Sequence, residues 1–166
     1  TKPEDLDHAL AQMGTSQHPI VEQLQALIDL DPEALSSCTD VTGFGLLGHL
    51  GEMLQASSQS LQVVLDGSAI PALPGALKLL NAQYASSLAP ANRRAWSLLD
   101  PTQGKPARVI LAHASSGCTP EDHQAMLELL VDPQTCGPLM LSCSGAMADA
   151  LLQANDTEWH HIGVVQ

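Results

Sequence analysis

The sequence CTDVTGFGLLGHL occupies residues 38–50 and combines the end of a strand, a tight turn and the start of a helix. Asp40 falls where a short strand stops, and Gly43 and Gly45 permit backbone angles and close approaches that a Cβ would prevent. The leucines at positions 46, 47 and 50 begin a helical apolar pattern. Because the N–H groups at a helix start attract anions, this turn beside an uncommitted carboxylate predicts a site for a phosphate and its metal ion.

The glycine spacing also fits a second interpretation. Gly43, Gly45 and Gly48 match the G-x-G-x-x-G pattern of dinucleotide-binding turns, and Asp66 follows at about the distance expected of a ribose-binding acid. The run before the glycines, residues 35–40, is short and polar, whereas a central parallel strand should be almost continuously apolar. Dinucleotide binding is therefore the less favoured alternative.

Three segments resemble, in the same order, segments of the selenide, water dikinase (selenophosphate synthetase) family. Residues 38–53, CTDVTGFGLLGHLGEM, resemble the stretch that opens the C-terminal half of these enzymes. Residues 69–75, AIPALPG, resemble the family's A-I-P-x-L-P-G segment, and residues 129–139, LLVDPQTCGPL, resemble its D-P-Q-T-S-G-G-L segment. The resemblance implies the C-terminal domain of the AIR synthase-related (PurM-like) superfamily.

The fold implied by this resemblance is α/β (α+β), a layered domain with a mixed β-sheet packed with helices. Residues 1–166 would form a single domain, and the imperfect alternation of β and α segments agrees with a layered arrangement better than with a doubly wound sheet. Periodicity and turn residues predict helices from Pro19 to about residue 29, from about residue 45 to 56, and at Ala76–Asn81, Pro120–Leu130 and Gly145–Ala154. They predict strands at residues 35–40 and 61–65 and at Ala107–Ala112, Leu139–Cys143 and Glu158–Val165.

The chemistry implied by the resemblance is the conversion of ATP, selenide and water to selenophosphate, AMP and phosphate with Mg²⁺. Asp40 matches the family's metal-binding aspartate in T-D-V-T-G-F-G, and Thr42, Gly43 and Gly45 belong to the same nucleotide-facing segment. Phosphoryl transfer needs chiefly positioning and charge neutralisation. The resemblance therefore implies Mg²⁺ and ATP as the cofactors bound at this turn.

Asn92 and Arg93 are further candidates for the shared site, because the family has an asparagine near an arginine in a comparable region. Two adjacent arginines, at 93 and 94, suit a phosphate, but pairing with surface carboxylates is the alternative in so acidic a chain.

The family's reactive Cys or selenocysteine, its lysine and its glycine-rich segment belong to an N-terminal half that is not in this sequence. The resemblance therefore implies no catalytic residue here, an inactive fragment when isolated, and a homodimer in the full-length enzyme. The segment Cys136-Gly137-Pro138 departs from the family's Ser-Gly-Gly, and proline lacks the N–H that could bind a phosphate. A PurM-like paralogue or degenerate domain with another substrate is the alternative.

Composition excludes several classes of partner. The formal net charge is −12, and six basic residues in 166 cannot line a nucleic-acid backbone. No apolar run approaches the roughly 20 residues that cross a membrane. Four cysteines without a C-x-x-C pair predict reduced thiols and a soluble, cytoplasmic protein.

Three further groups of residues have structural alternatives. His113, Cys118 and His123 are spaced like loose zinc ligands but lack a fourth close ligand. His49 is expected to pack or cap rather than act as a base, since no orienting carboxylate is evident. Cys38 is expected to be a small buried strand residue rather than a nucleophile.

Overall fold

The computed structural model describes residues 2–101, 106–112, 119–134, 137–154 and 158–166. The helices are α1 Pro3–Met13, α2 His18–Leu30, α3 Gly45–Ala56, α4 Ala76–Asn81, α5 Ala89–Asn92, α6 Pro120–Leu129 and α7 Gly145–Leu152, with a 3-10 helix at Arg93–Leu98. The strands are β1 Leu35–Asp40, β2 Val63–Asp66, β3 Val109–Ala112, β4 Leu139–Cys143 and β5 Gly163–Val165.

The strands form two sheets. β1 pairs with β4 in an antiparallel ladder in which Asp40 lies opposite Leu139. In the second sheet β2 lies between β3 and β5, parallel to β3 and antiparallel to β5. This mixed sheet and its helices confirm the predicted α/β class. Because β1 and β2 lie in different sheets, the segment β1–α3–β2 is not the parallel βαβ unit that dinucleotide binding requires.

The main core lies between α3, the mixed sheet and the end of α6. Its buried members are aliphatic, as the composition predicts, and comprise Val41, Leu47, Leu50, Leu54, Val63, Leu65, Val109, Leu130, Val131 and Met140. A smaller cluster of Leu24, Ala34, Met147 and Leu151 joins α2 and α7. No helix in the described ranges combines the length and the apolar content needed to cross a bilayer. The main core fixes the start of α3, which carries the candidate site.

Several predicted bounds differ from the structure. Helices α1 and α5 and the 3-10 helix were not predicted; α1 has no buried residue, so it leaves no core pattern in the sequence. Strand β2 begins at Val63 rather than at residue 61, and β3 begins at Val109 rather than Ala107. The last strand covers Gly163–Val165 instead of Glu158–Val165, because its partner β2 is only four residues long.

Candidate functional site

The segment between β1 and α3, residues 40–45, is held in one conformation by short-range bonds; we call it the β1–α3 turn. The amide of Gly45 donates to the carbonyl of Thr42 at 3.0 Å. Gly45 has φ +69°, and a Cβ there would lie 2.7 Å from the carbonyl carbon of Val131. A side chain is therefore excluded at position 45 by conformation and by space. The positive φ of this glycine bends the chain from strand into helix.

The third resembling segment, residues 129–139, lies directly against this turn. The amide of Gln134 donates to the carbonyl of Thr42 at 3.0 Å, and the amide of Val41 donates to the carbonyl of Pro138 at 2.9 Å. Gly137 packs against the carbonyl of Val41 so closely that a Cβ has no room. Pro138 thus extends the β1–β4 ladder through its carbonyl, and its missing N–H does not interrupt that bond. Cys136 lies outside the described residues.

The start of α3 is less open than the sequence predicted. Of its first three amides, that of Gly45 bonds to Thr42, and that of Leu47 donates to the carbonyl of Leu130 at 2.8 Å. The helix N-terminus is therefore docked on the end of α6. The expectation that its N–H groups face a ligand is wrong for these two amides.

Asn92 is bonded to the β1–α3 turn, and Arg93 is bonded to α6 beside it. Asn92 is only 7% exposed, and its Nδ2 donates to the carbonyls of Gly43 at 2.9 Å and Val131 at 3.0 Å. The guanidinium of Arg93 makes two contacts to the buried carboxylate of Glu128, from Nε at 3.2 Å and from a terminal nitrogen at 2.9 Å. Arg93 therefore pairs with a carboxylate, as the alternative interpretation held, but that carboxylate is buried rather than on the surface. Contact of Asn92 and Arg93 with a nucleotide stays a prediction.

Arg94 is the arginine that faces solvent. Its guanidinium carbon lies 5.9 Å from the centroid of the Phe44 ring, at the outer edge of the turn. No carboxylate of the described residues lies within ion-pair distance of it. The resemblance selected Arg93 rather than Arg94 for the shared site, but Arg93 is the arginine that pairs with Glu128, and Arg94 is the one left exposed.

His49 has the orienting carboxylate that was not evident in the sequence. Its ring is 9% exposed; Nε2 lies 3.1 Å from Oγ1 of Thr42, and Nδ1 lies 2.9 Å from Oε2 of Glu52. The Glu52 contact is close but off the line of a hydrogen bond. The ring also packs at 5.5 Å from that of Phe44. The i,i+3 spacing of His49 and Glu52 on one helix face was the signal that could have identified the pair.

Asp40, the predicted metal ligand, is exposed at the end of β1. In the described parts of the chain no three His, Cys, Asp or Glu side chains are grouped to hold a metal ion. Mg²⁺ is commonly held by one or two carboxylates together with water and substrate phosphates. A single accessible carboxylate beside a rigid turn fits that mode of binding, whereas it does not fit an ion enclosed by protein ligands alone.

Two other titratable groups lie near the turn. Burial, and then the neighbouring Asp40, raise the pKa of the Cys38 thiol, which keeps it protonated and a poor nucleophile. Cys38 lies in β1 as interpreted, but it is partly exposed to solvent rather than buried. Burial, and then the charge of Glu128, also raise the pKa of Asp132. Asp132 follows α6 and was not singled out from the sequence.

The remaining sequence candidates do not join this site. Asp66 accepts hydrogen bonds from the amide and hydroxyl of Ser68, which makes it a turn residue and removes support from the dinucleotide interpretation. Of the zinc candidates, His113 and Cys118 lie outside the described residues. Cys38 and Cys143 are free thiols.

Comparison with known proteins gives a consistent result. A family model described as "AIR synthase related protein, C-terminal domain" matches residues 4–166. Curated relatives named "Selenide, water dikinase" are similar to this chain. That of Nitratidesulfovibrio vulgaris (strain DP4) is 33% identical over 135 residues, 80% of this chain and 33% of the relative. That of Geobacter metallireducens is 36% identical over 121 residues, 70% of this chain and 29% of the relative. That of Rhizobium meliloti is 35% identical over 135 residues, 81% of this chain and 33% of the relative. The resemblance found in the sequence is confirmed, and the chain spans about a third of the length of these relatives.

Proposed function

Because this chain belongs to the family of AIR synthase related proteins, as their C-terminal domain, we propose that it forms the C-terminal part of a selenide, water dikinase. The complete enzyme would convert ATP, selenide and water to selenophosphate, AMP and phosphate. The observation that carries the proposal is the β1–α3 turn, where an exposed Asp40 stands beside two hydrogen-bonded family segments.

In this proposal the chain supplies one wall of the nucleotide site. Asp40 would hold Mg²⁺ together with ATP phosphates, with Thr42, Gly43 and Gly45 forming the adjoining backbone. The ion would neutralise the charge of the transferred phosphoryl group. Asn92 supports this wall through the carbonyl of Gly43. Arg93 is paired with Glu128 and would not meet the phosphates as a free cation.

The reactive groups would come from the remainder of a longer protein. The isolated chain is then expected to be inactive, and the complete enzyme to be a homodimer in the cytoplasm with its thiols reduced. Nucleic acid and membrane are not expected partners, because the net charge of −12 repels both phosphate backbones and anionic lipid.

Phosphorus NMR tests the proposal directly. The chain is expressed together with its upstream coding sequence and incubated with Mg²⁺, ATP and selenide. We expect signals of selenophosphate and AMP in the wild type and neither in Asp40→Asn. The control is Asp7→Asn, which removes the same charge from the exposed surface of α1 and should leave both signals unchanged.

Two results would contradict the assignment. ATP that stays intact, or that is converted to ADP whether or not selenide is present, would favour a PurM-like paralogue with another substrate. Equal product in wild type and Asp40→Asn would remove Asp40 from the metal site.

A further inference from the structure

Thr42, His49 and Glu52 form a chain of contacts that runs from the β1–α3 turn along one face of α3. We propose that His49 and Glu52 are positioning residues that fix the hydroxyl of Thr42 as a hydrogen-bond acceptor toward the ligand of the turn. The inference rests on the proposed function only for the identity of that ligand as Mg²⁺.

The carboxylate of Glu52 selects one form of the imidazole. A neutral histidine carries its proton on one nitrogen and presents a lone pair on the other. Nδ1 of His49 is buried and lies 2.9 Å from Oε2 of Glu52. An unprotonated Nδ1 carries partial negative charge, and a carboxylate oxygen 2.9 Å away repels it, whereas a protonated Nδ1 is attracted; the proton is therefore assigned to Nδ1. Nε2 is then the acceptor.

The acceptor on Nε2 determines how the Thr42 hydroxyl is used. Its oxygen lies 3.1 Å from Nε2, so its single hydrogen is donated to the ring. The backbone of Thr42 cannot easily turn the side chain away, because its carbonyl already accepts from the amides of Gly45 and Gln134. The hydroxyl oxygen is left with lone pairs only.

A turn that presents the Asp40 carboxylate and an acceptor-only hydroxyl favours cations and their bound water. The same arrangement disfavours a bare phosphate oxygen, which requires donors. His49 thereby acts on the ligand through Thr42 and does not touch it.

The ring nitrogens of His49 test the first step. Nitrogen-15 NMR of the 166-residue chain is expected to show a protonated Nδ1 and an unprotonated Nε2. In Glu52→Gln we expect part of the population to move its proton to Nε2. The matched control is Glu22→Gln, which removes the carboxylate beside the exposed ring of His18 and should leave His49 unchanged. Protonation on Nε2 in the neutral wild-type ring, or an unchanged ring in Glu52→Gln, would overturn the inference.

Titration with Mg²⁺ alone, and separately with inorganic phosphate, tests the second step. Mg²⁺ should shift the amide signals of residues 40–43, and Glu52→Gln should weaken its affinity about tenfold, as loss of support behind a metal ligand does. Thr42→Val should weaken affinity similarly, and adding Glu52→Gln to it should cause no further loss, because His49 acts through the hydroxyl. Additive losses, or phosphate alone shifting the turn as strongly, would overturn the inference. A correct ring state with no Mg²⁺ response would instead refute the Mg²⁺ role in the proposed function, while the positioning of Thr42 would stand on the ring data.

Discussion

Gly43 and Gly45 lie two residues apart in the β1–α3 turn but have different surroundings. Gly45 has φ +69°, and a Cβ at this position would lie within 2.8 Å of backbone atoms of Val131. A Cβ at Gly43 would have no neighbouring atom within 4 Å. We expect Gly45→Ala to lower the free energy of unfolding by about 3 kcal/mol, from left-handed strain and overpacking together. Urea unfolding measures it, and Gly43→Ala is the control, with a change within about 0.5 kcal/mol. Equal effects at the two positions would contradict this account.

Asn92 is the residue whose amide group holds two parts of the site together. In Asn92→Asp an acceptor replaces the Nδ2 donor, so the carbonyls of Gly43 and Val131 would face a buried carboxylate. The expected loss of unfolding free energy is about 3 kcal/mol, since an uncompensated buried charge costs several kcal/mol. Gln55→Glu makes the same chemical change on the exposed surface of α3 and should have little effect. A comparable loss in both variants would assign the effect to added charge alone.

The carboxylates near the two ends of helix α6 have pKa values shifted in opposite directions. Thr119 and Asp122 form a capping box: the amide of Asp122 donates to the hydroxyl of Thr119, and the amide of Thr119 donates to Oδ2 of Asp122. The backbone bond from Thr119, and then its hydroxyl, lower the pKa of Asp122. Past the other end of the helix, burial and Glu128 raise the pKa of Asp132. The two residues should therefore affect stability with opposite signs.

For Asp122 the folded pKa lies below the unfolded one, so its stabilising effect is present above the ordinary aspartate pKa and is lost as pH falls through the folded value. Asp122→Asn should lower the unfolding free energy at pH 7. As the pH falls, the unfolding free energy of the variant should decrease less than that of the wild type. Chemical unfolding measured from pH 7 down to pH 3 tests this. A variant as stable as the wild type at pH 7 would show that the capping box contributes nothing.

For Asp132 the folded pKa lies above the unfolded one, so the wild type gains stability below the unfolded pKa and loses it as pH rises through the folded value. Asp132→Asn should therefore raise the unfolding free energy at pH 7, by an amount that shrinks toward pH 3. The same unfolding series measures it. A destabilised variant at pH 7 would mean that the charged carboxylate makes a favourable contact in the fold.

Elements with local signals were predictable from the sequence. Helix α3 and strand β4 have the predicted bounds because their apolar spacing and flanking glycine, proline or serine residues mark both ends; α4 is marked by Pro74 and Gly75 at its start. The 3-10 helix at Arg93–Leu98 gave no such signal, since its anchors are tertiary contacts such as the bond from Nε1 of Trp96 to the carbonyl of Leu127. The length of β5 was likewise set by its partner strand.

At the scale of the whole molecule, the candidate site also combines features that adjacent residues predict with features that only tertiary contacts decide. The position of Asp40 at a strand end followed from adjacent residues. The roles of Arg93 and of His49 with Glu52 depended on which side chains the fold brings together, and the closure of the α3 N-terminus depended on α6 docking against it. A sequence predicts the turn, but the packing decides which of its groups remain available to a ligand.

The net charge of −12 should make the stability of the whole molecule depend on ionic strength. Eighteen acidic residues against six basic ones repel one another in the folded state, and salt shortens the range of that repulsion from about 30 Å at 0.01 M to about 8 Å at 0.15 M. We expect the urea midpoint to rise between these concentrations of KCl.

MgCl₂ at matched ionic strength should raise the urea midpoint further in the wild type but not in Asp40→Asn, because an ion that binds the folded state stabilises it. A midpoint that falls with KCl would mean that local ion pairs such as Arg93–Glu128 outweigh the general repulsion. Equal Mg²⁺ effects in both proteins would mean that the ion acts by screening rather than at Asp40.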